Sequence, residues 1–143
     1  MPDIFHYFTI KAPPDRVFNA VTTPEGLDKW WTKHSSGMPA KDELYELNFG
    51  AGYEWQGKVT KCIPEKEFEF EISQALTDWE GTKVGFKIEP SQDTTKVQFY
   101  HHGWPDDNDH FRTSCYCWAM YLRIMKRYLE YGETVAYENR LEV

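Results

Sequence analysis

Three histidines that lie close together in the sequence are the first candidates for chemistry, because imidazole binds metal ions and transfers protons near neutral pH. They are His101, His102 and His110. Neighbouring residues of a β-strand point to opposite faces, so His101 and His102 cannot bind one metal ion without a bulge. We therefore expect neither a metal nor a cofactor. His101 shares an apolar face with Val97 and Phe99, which is compatible with a polar group inside a cavity or with a hydrogen-bonded histidine of the core.

The three cysteines are a second candidate for chemistry. Cys115 and Cys117 fall in a helical segment, where their spacing points them to nearly opposite sides, while Cys62 belongs to a different element. The spacing predicts no local disulfide and no C-x-x-C motif. We interpret all three as small buried hydrophobic residues rather than reactive thiols.

Carboxylates can act as acid–base pairs, and Glu67, Glu69 and Glu71 form the densest alternating group. They alternate with apolar residues, as is typical of a half-buried strand, so we expect all three to face water. The sequence contains no nucleophile elbow, no phosphate-cradling glycine loop and no zinc-protease helix motif. We assign no catalytic residue.

Tryptophan is the side chain that most favours a binding function. Aromatic residues make up 17% of the chain, and an indole combines a large apolar surface with one N–H donor, which suits a pocket for an apolar ligand. Each tryptophan could equally fill an ordinary core. Together, however, five of them favour a Trp-lined cavity, namely Trp30, Trp31, Trp55, Trp104 and Trp118.

A long amphipathic helix over residues 106–131 must position many of these side chains. Apolar residues recur at spacings of four and three and form one stripe, namely Phe111, Cys115, Trp118, Leu122, Met125 and Leu129. A second set widens this surface, namely Cys117, Met120, Tyr121, Ile124 and Tyr128. We predict Asp109 as the N-cap and Gly132 as the C-terminal stop.

The rest of the chain predicts a sheet that covers this helix. A strand over 4–10 precedes two short helices, the second over 25–32, and a loop over 33–41. Period-two alternation then predicts a meander of five strands within 43–102. Residues 134–143 show no clear period and are predicted as a flexible tail or an extra edge element. This order indicates one α+β domain over 1–143, with a curved antiparallel sheet of about six strands around the long C-terminal helix.

The composition excludes several classes of partner. A net charge of −7 disfavours binding to nucleic acid and to anionic membranes. No run of about eighteen apolar residues occurs, so we expect no membrane insertion. The first residues lack the basic start and apolar stretch of a signal peptide, and three cysteines are too few for a disulfide framework. We expect a cytoplasmic protein, either a monomer or a homodimer.

Four short motifs occur in order along the chain: IKAPPDRVFNA at 10–20, TPEGLDKWW at 23–31, GKVTKCIP at 57–64 and TKVQFYHHGWP at 95–105. In this order they resemble the SRPBCC superfamily, which has the helix-grip fold of START and birch-pollen-allergen-like domains. Within it the chain looks most like the branch related to the C-terminal domain of the activator of Hsp90 ATPase. The resemblance covers almost the whole chain.

This resemblance implies a ligand-sized cavity between the sheet and the long helix, which the superfamily uses for lipids, polyketides, hormones and other apolar molecules. We therefore expect a small hydrophobic or aromatic ligand, with Trp31 covering the mouth of the cavity. The other expected ligand-binding residues are Tyr53, Trp55, Phe70, Phe86, Phe99 and His101 of the sheet and Trp118, Leu122 and Met125 of the helix.

Two alternatives stay open at this point. The chain could be a protein-interaction module that resembles an Hsp90-activator domain and binds a chaperone through its acidic surface. It could also resemble the polyketide cyclases or aromatases, with His101 or a tyrosine of the cavity as the acid–base group.

Overall fold

The computed structural model describes residues 1–75 and 78–143. The elements in chain order are β1 (Ile4–Ile10), α1 (Pro14–Thr22), α2 (Pro24–Trp30), β2 (His34–Ser36), β3 (Leu44–Asn48), β4 (Glu54–Ile63), β5 (Glu67–Gln74), β6 (Lys83–Ser91), β7 (Thr94–His102), α3 (Asp109–Tyr131) and a C-terminal 3-10 helix (Tyr137–Glu142). The predicted order of a strand, two short helices, a meander and a long helix is confirmed.

The seven strands form one antiparallel sheet in the order β1-β7-β6-β5-β4-β3-β2. Strands of the meander pair with their neighbours in sequence, so that Phe86 of β6 lies opposite Phe99 of β7. The curved sheet holds α3 against its inner face, which confirms the α+β helix-grip fold. The sheet has one strand more than predicted, because β2 lies in the segment predicted as a loop and pairs Ser35 with Leu47 of β3. A three-residue strand is too short to show a period.

The long helix α3 is held against the sheet by its predicted stripe. Trp118, Leu122, Met125 and Leu129 are buried, and Gly132 ends the helix with φ of 70°, as predicted. The prediction of Asp109 as the N-cap is wrong. The preceding Asn108 has the extended backbone of a cap, and its side chain accepts from the Phe111 N–H at 3.0 Å. No described helix is long and apolar enough to cross a membrane.

The two short helices pack against each other, against α3 and against strands of the sheet. Thr23 caps α2 by accepting from the Gly26 N–H at 3.0 Å. Gly26 allows α2 to approach α1 closely, since a Cβ there would lie 2.6 Å from the carbonyl oxygen of Asn19. The Trp30 indole donates to the carbonyl oxygen of Ala20 at 2.9 Å, which fixes α2 against α1 and presents the next residue, Trp31, to the interior.

The outer face of the sheet carries one residue that contradicts its pattern. Glu67 and Glu71 are half-buried, but Glu69 is only 3% exposed, so the prediction that it faces water is wrong. The ring of Tyr100 covers Gly85, where a Cβ would lie 2.2 Å from the ring, and its hydroxyl donates to Glu69. The Thr60 hydroxyl donates to the other carboxylate oxygen at 2.6 Å. Glu69 is therefore buried within a hydrogen-bonded group rather than solvated.

Candidate functional site

A cavity of about 560 Å³ lies between the sheet, α3 and the C-terminal 3-10 helix. Residues of α3 at helical spacing form one wall, namely His110, Thr113, Ser114, Cys117, Trp118 and Tyr121. The opposite wall is aromatic, and Tyr53 and Leu141 are more than half exposed at the rim. The arrangement is that of a concave, mostly apolar site open to solvent on one side.

Five aromatic residues of the wall form a closed circuit of ring contacts, which we call the aromatic pentad. Its members are Trp31, Phe49, Trp55, Trp79 and Trp118. Neighbouring ring centroids around the circuit lie 5.3, 5.2, 5.1, 5.5 and 5.2 Å apart. Most of these pairs are tilted or edge-to-face, the geometries that aromatic rings prefer. The pentad is thus a packed aromatic surface, and a bound molecule would contact the faces and edges of its rings.

Four of the expected ligand-binding residues line the cavity, namely Trp31, Tyr53, Trp55 and Trp118. Trp31 does not cover the mouth, since it is 2% exposed and stacks against Trp30 at the inner end. The wall does not include Phe70, Phe86, Phe99, Leu122, Met125 or His101, which are buried in the core. The centre of the sheet packs directly against α3 there, and the ring centroids of Phe99 and Trp118 lie 4.5 Å apart.

Several residues of the wall carry no signal in the sequence that marks them as site residues. Trp79 lies in the turn before β6, where no periodicity marks a side chain as buried, yet it is 8% exposed. Tyr137 and Leu141 belong to the segment without a period. His110, Ser114 and Tyr121 are spaced so that they lie on one face of the helix, and Tyr121 belongs to the second apolar set of α3. This spacing could have identified His110 and Ser114 as residues of the wall.

His101 is a hydrogen-bonded histidine of the core and is fully buried. The Trp118 indole donates to its Nδ1 at 3.0 Å, which places the proton on Nε2. Nε2 then donates to the Thr82 hydroxyl at 2.8 Å, and Thr82 donates to the carbonyl oxygen of Trp79. Burial, aided by the nearby His102 and His110, lowers the pKa of His101 to about 3. The neutral ring therefore orients Trp118 from behind the pentad.

The cysteines are free thiols and half-buried. Burial raises the pKa of Cys62 and of Cys117, which disfavours the reactive thiolate. The Cys115 sulfur lies 3.9 Å from the His6 Nε2. Within residues 1–75 and 78–143, no three side chains of His, Cys, Asp or Glu are grouped so as to hold a metal ion.

The C-terminal 3-10 helix, which we call the C-terminal strap (Tyr137–Glu142), completes the cavity wall. Its anchor is Arg140, which is 4% exposed. The guanidinium donates to the carbonyl oxygens of Asp28 at 2.7 Å, Thr32 at 3.2 Å and Val135 at 3.1 Å. A second anchor is the Tyr137 hydroxyl, which donates to the carbonyl oxygen of Phe49 at 2.9 Å. Residues 137–142 therefore form a docked 3-10 helix rather than the predicted flexible tail or extra edge element.

The family described as Activator of Hsp90 ATPase homolog 1-like protein matches residues 11–130. Among solved structures, the chain is similar to the Aha1 dimer of Colwellia psychrerythraea, with 34% identity, a TM-score of 0.84, and 93% of this chain and 99% of that chain covered. It is also similar to protein SSP2350 of Staphylococcus saprophyticus, with 21% identity, a TM-score of 0.79 and 94% and 96% of the two chains covered.

A third similar structure is CalU16 of Micromonospora echinospora, with 17% identity, a TM-score of 0.72, and 98% of this chain and 83% of that chain covered. At this identity, and at that of the Staphylococcus protein, the likeness shows the fold alone. A search of curated proteins finds no match. Because the family match spans most of the chain and the helix-grip fold agrees with it, the chain belongs to the Activator of Hsp90 ATPase homolog 1-like family, within the SRPBCC superfamily.

Proposed function

We propose that this protein binds a small aromatic or otherwise apolar molecule, lipid-like or polyketide-like, in the cavity beside α3. The observation that carries the proposal is the aromatic pentad, a circuit of five rings in which each contacts its two neighbours and which lines a cavity of about 560 Å³. Ligand sites typically measure about 300–1,000 Å³ and bury most of an apolar ligand. A flat ligand would displace water from the indole faces and gain hydrophobic and dispersion free energy.

The expected ligand-binding residues take two roles in this proposal. Trp31, Trp55 and Trp118 contact the ligand, and Tyr53 closes the rim. Phe70, Phe86, Phe99, Leu122 and Met125 support the wall from the core, and His101 orients Trp118. A cyclase-type reaction through His101 has less support, because both ring nitrogens are hydrogen-bonded within the core. A cytoplasmic location is part of the proposal, and free thiols fit a reducing compartment.

A thermal-shift panel of fatty acids, other lipids and polyketide-like aromatics tests this function, with tryptophan fluorescence read in parallel. A ligand that binds only the folded state stabilises it by about 2.7 kcal/mol at a concentration of one hundred times Kd. We expect at least one aromatic class to raise Tm with dose and to quench tryptophan emission. A flat response over the whole panel would refute the proposal.

The family suggests a second function, which is interaction with a chaperone of the Hsp90 type. The observation that favours it is the likeness to the Aha1 dimer of Colwellia psychrerythraea, at 34% identity over almost all of that chain. This proposal predicts that the purified protein changes the ATPase rate of the Hsp90 of its own organism and is retained by that chaperone in a pull-down. An unchanged rate together with no retention contradicts it. Light scattering of the same sample would tell whether this chain also forms a homodimer.

A further inference from the structure

Along α3 the cavity wall changes from polar to aromatic. His110, Thr113 and Ser114 line it near the start of the helix, and Cys117, Trp118 and Tyr121 line it further on. A helix rises about 1.5 Å per residue, so the polar part and Tyr121 are separated by roughly two turns. A ligand that extends along this wall therefore meets polar side chains at one end of the cavity.

His110 is oriented by a carboxylate. Its Nδ1 lies 3.5 Å from an oxygen of Asp78, and the Asn108 amide donates to the same oxygen at 3.1 Å. The hydrogen bond from Asn108, together with the neighbouring His110, lowers the pKa of Asp78. The edge-on ring of Trp104 packs against the imidazole at 5.3 Å. An ionised partner at Nδ1 holds the proton on that nitrogen.

His110 and Ser114 offer a ligand two hydrogen-bonding positions on α3. In the neutral tautomer that carries its proton on Nδ1, facing Asp78, the His110 ring has Nε2 as an acceptor, and Nε2 has no hydrogen-bond partner in the described part of the chain. The Ser114 oxygen accepts from the Trp79 indole at 3.3 Å, so its own proton remains to be donated. One acceptor and one donor on successive turns of the same helix face fit a group that both donates and accepts, which is a hydroxyl.

We propose that the ligand is a hydroxylated aromatic molecule, whose phenolic O–H donates to His110 Nε2 while its oxygen accepts from the Ser114 hydroxyl. This inference rests on the proposed binding function and names the ligand class of the same cavity. The ring that bears the hydroxyl continues onto the pentad. Asp78 acts as a positioning residue, because its carboxylate keeps Nε2 as the acceptor.

Three probes of matched shape test the assignment: 2-naphthol, its methyl ether 2-methoxynaphthalene, and 2-naphthoic acid. The ether can accept from Ser114 but cannot donate to His110. We expect the wild-type protein to bind 2-naphthol about tenfold more tightly than the ether, as one hydrogen bond implies. His110→Phe should reduce this preference to about one while the ether still binds. Ser114→Ala should weaken the binding of 2-naphthol and of the ether by the same factor.

His34→Phe is the matched control, since His34 also lies near a carboxylate, 3.9 Å from Asp28, but is largely exposed and outside the cavity wall. It should leave every affinity unchanged. Equal binding of 2-naphthol and the ether by the wild type, or a preference that survives His110→Phe, overturns the hydroxyl assignment alone. Tighter binding of 2-naphthoic acid than of 2-naphthol also overturns it, in favour of a carboxylate ligand. No binding of any of the three probes to the folded protein contradicts the cavity proposal as well.

Discussion

Replacing Arg140 by alanine should release the C-terminal strap from the cavity. The guanidinium donates three hydrogen bonds to backbone carbonyl oxygens, those of Asp28, Thr32 and Val135. Hydrogen bonds from a charged donor contribute about 1.5–3 kcal/mol each in mutational series, but the exposed carbonyls regain water when the strap lifts. We therefore expect a net loss of about 2–4 kcal/mol in the free energy that holds the strap in place.

The functional consequence follows from the cavity wall. Tyr137 and Leu141 line the cavity only while the strap is docked, so a released strap removes two apolar contacts from a bound ligand. We expect the affinity for an aromatic probe to fall about tenfold, equivalent to roughly 1.4 kcal/mol. Faster dissociation should account for most of this change, since interactions lost within one site act mainly on the off-rate.

Hydrogen–deuterium exchange over residues 133–143 is the assay, combined with probe affinity and chemical denaturation. Arg140→Ala should expose these backbone amides to exchange while the sheet stays protected. Arg140→Lys should be intermediate, because an ammonium cannot reach three separated carbonyls in the same geometry. Arg112→Ala is the control, since Arg112 pairs with Asp107 at the surface at 4.0 Å, lies outside the cavity wall and should change little. Unaltered exchange in the strap of Arg140→Ala would show that Arg140 is not its anchor.

Three further predictions concern His101 in the core and the hydrogen-bonded group on the outer face of the sheet. Burial lowers the pKa of His101 from 6.5 in the unfolded chain to about 3 in the fold. The unfolded chain therefore binds the extra proton, and stability is lost as the pH falls below about 6.5. Between pH 7.5 and 5 the loss is about 2 kcal/mol, and His101→Gln should flatten this pH dependence in denaturation titrations. Tyr100→Phe should cost about 1–3 kcal/mol in urea denaturation, because Glu69 loses its buried donor. Gly85→Ala should cost a similar amount through the clash with the Tyr100 ring, and a Tm equal to the wild type would contradict either expectation.

The sequence was sufficient for the parts of the fold that depend on period. The apolar stripe of α3 recurs every three or four residues, as only a helix requires, and the meander alternates with a period of two, as only strands require. It was insufficient for β2, whose three residues carry no repeat. It was also insufficient for Glu69, which lies on the outer face as predicted but is buried because the Tyr100 side chain crosses Gly85 and bonds its carboxylate. Burial of an outward side chain depends on what other strands place beside it, here Tyr100 of β7 reaching across β6, and alternation within one strand does not contain that information.

The cavity was harder to predict than the fold, because contacts between elements decide which side chains line it. A side chain that lines a hollow and one that fills a core occupy the same inward positions, so Trp55 and Phe70 could not be told apart by pattern. Trp79 and Tyr137 lie outside regular periodic elements, and their burial is decided by tertiary contacts. Only the helix face of α3 that carries His110 and Ser114 could have been recognised from spacing.

The most direct test of the proposed function is a calorimetric titration of an aromatic probe, 2-naphthol, into the wild type and into Cys117→Trp. Cys117 is half-buried on the cavity wall, so an indole there should occupy part of the volume that the ligand needs. Ala119→Trp is the control, because Ala119 lies on the exposed side of the same helix. We predict measurable binding to the wild type and to Ala119→Trp, and at least tenfold weaker binding to a folded Cys117→Trp. Equal affinity in all three proteins, or no heat of binding in the wild type, would contradict a ligand site beside α3.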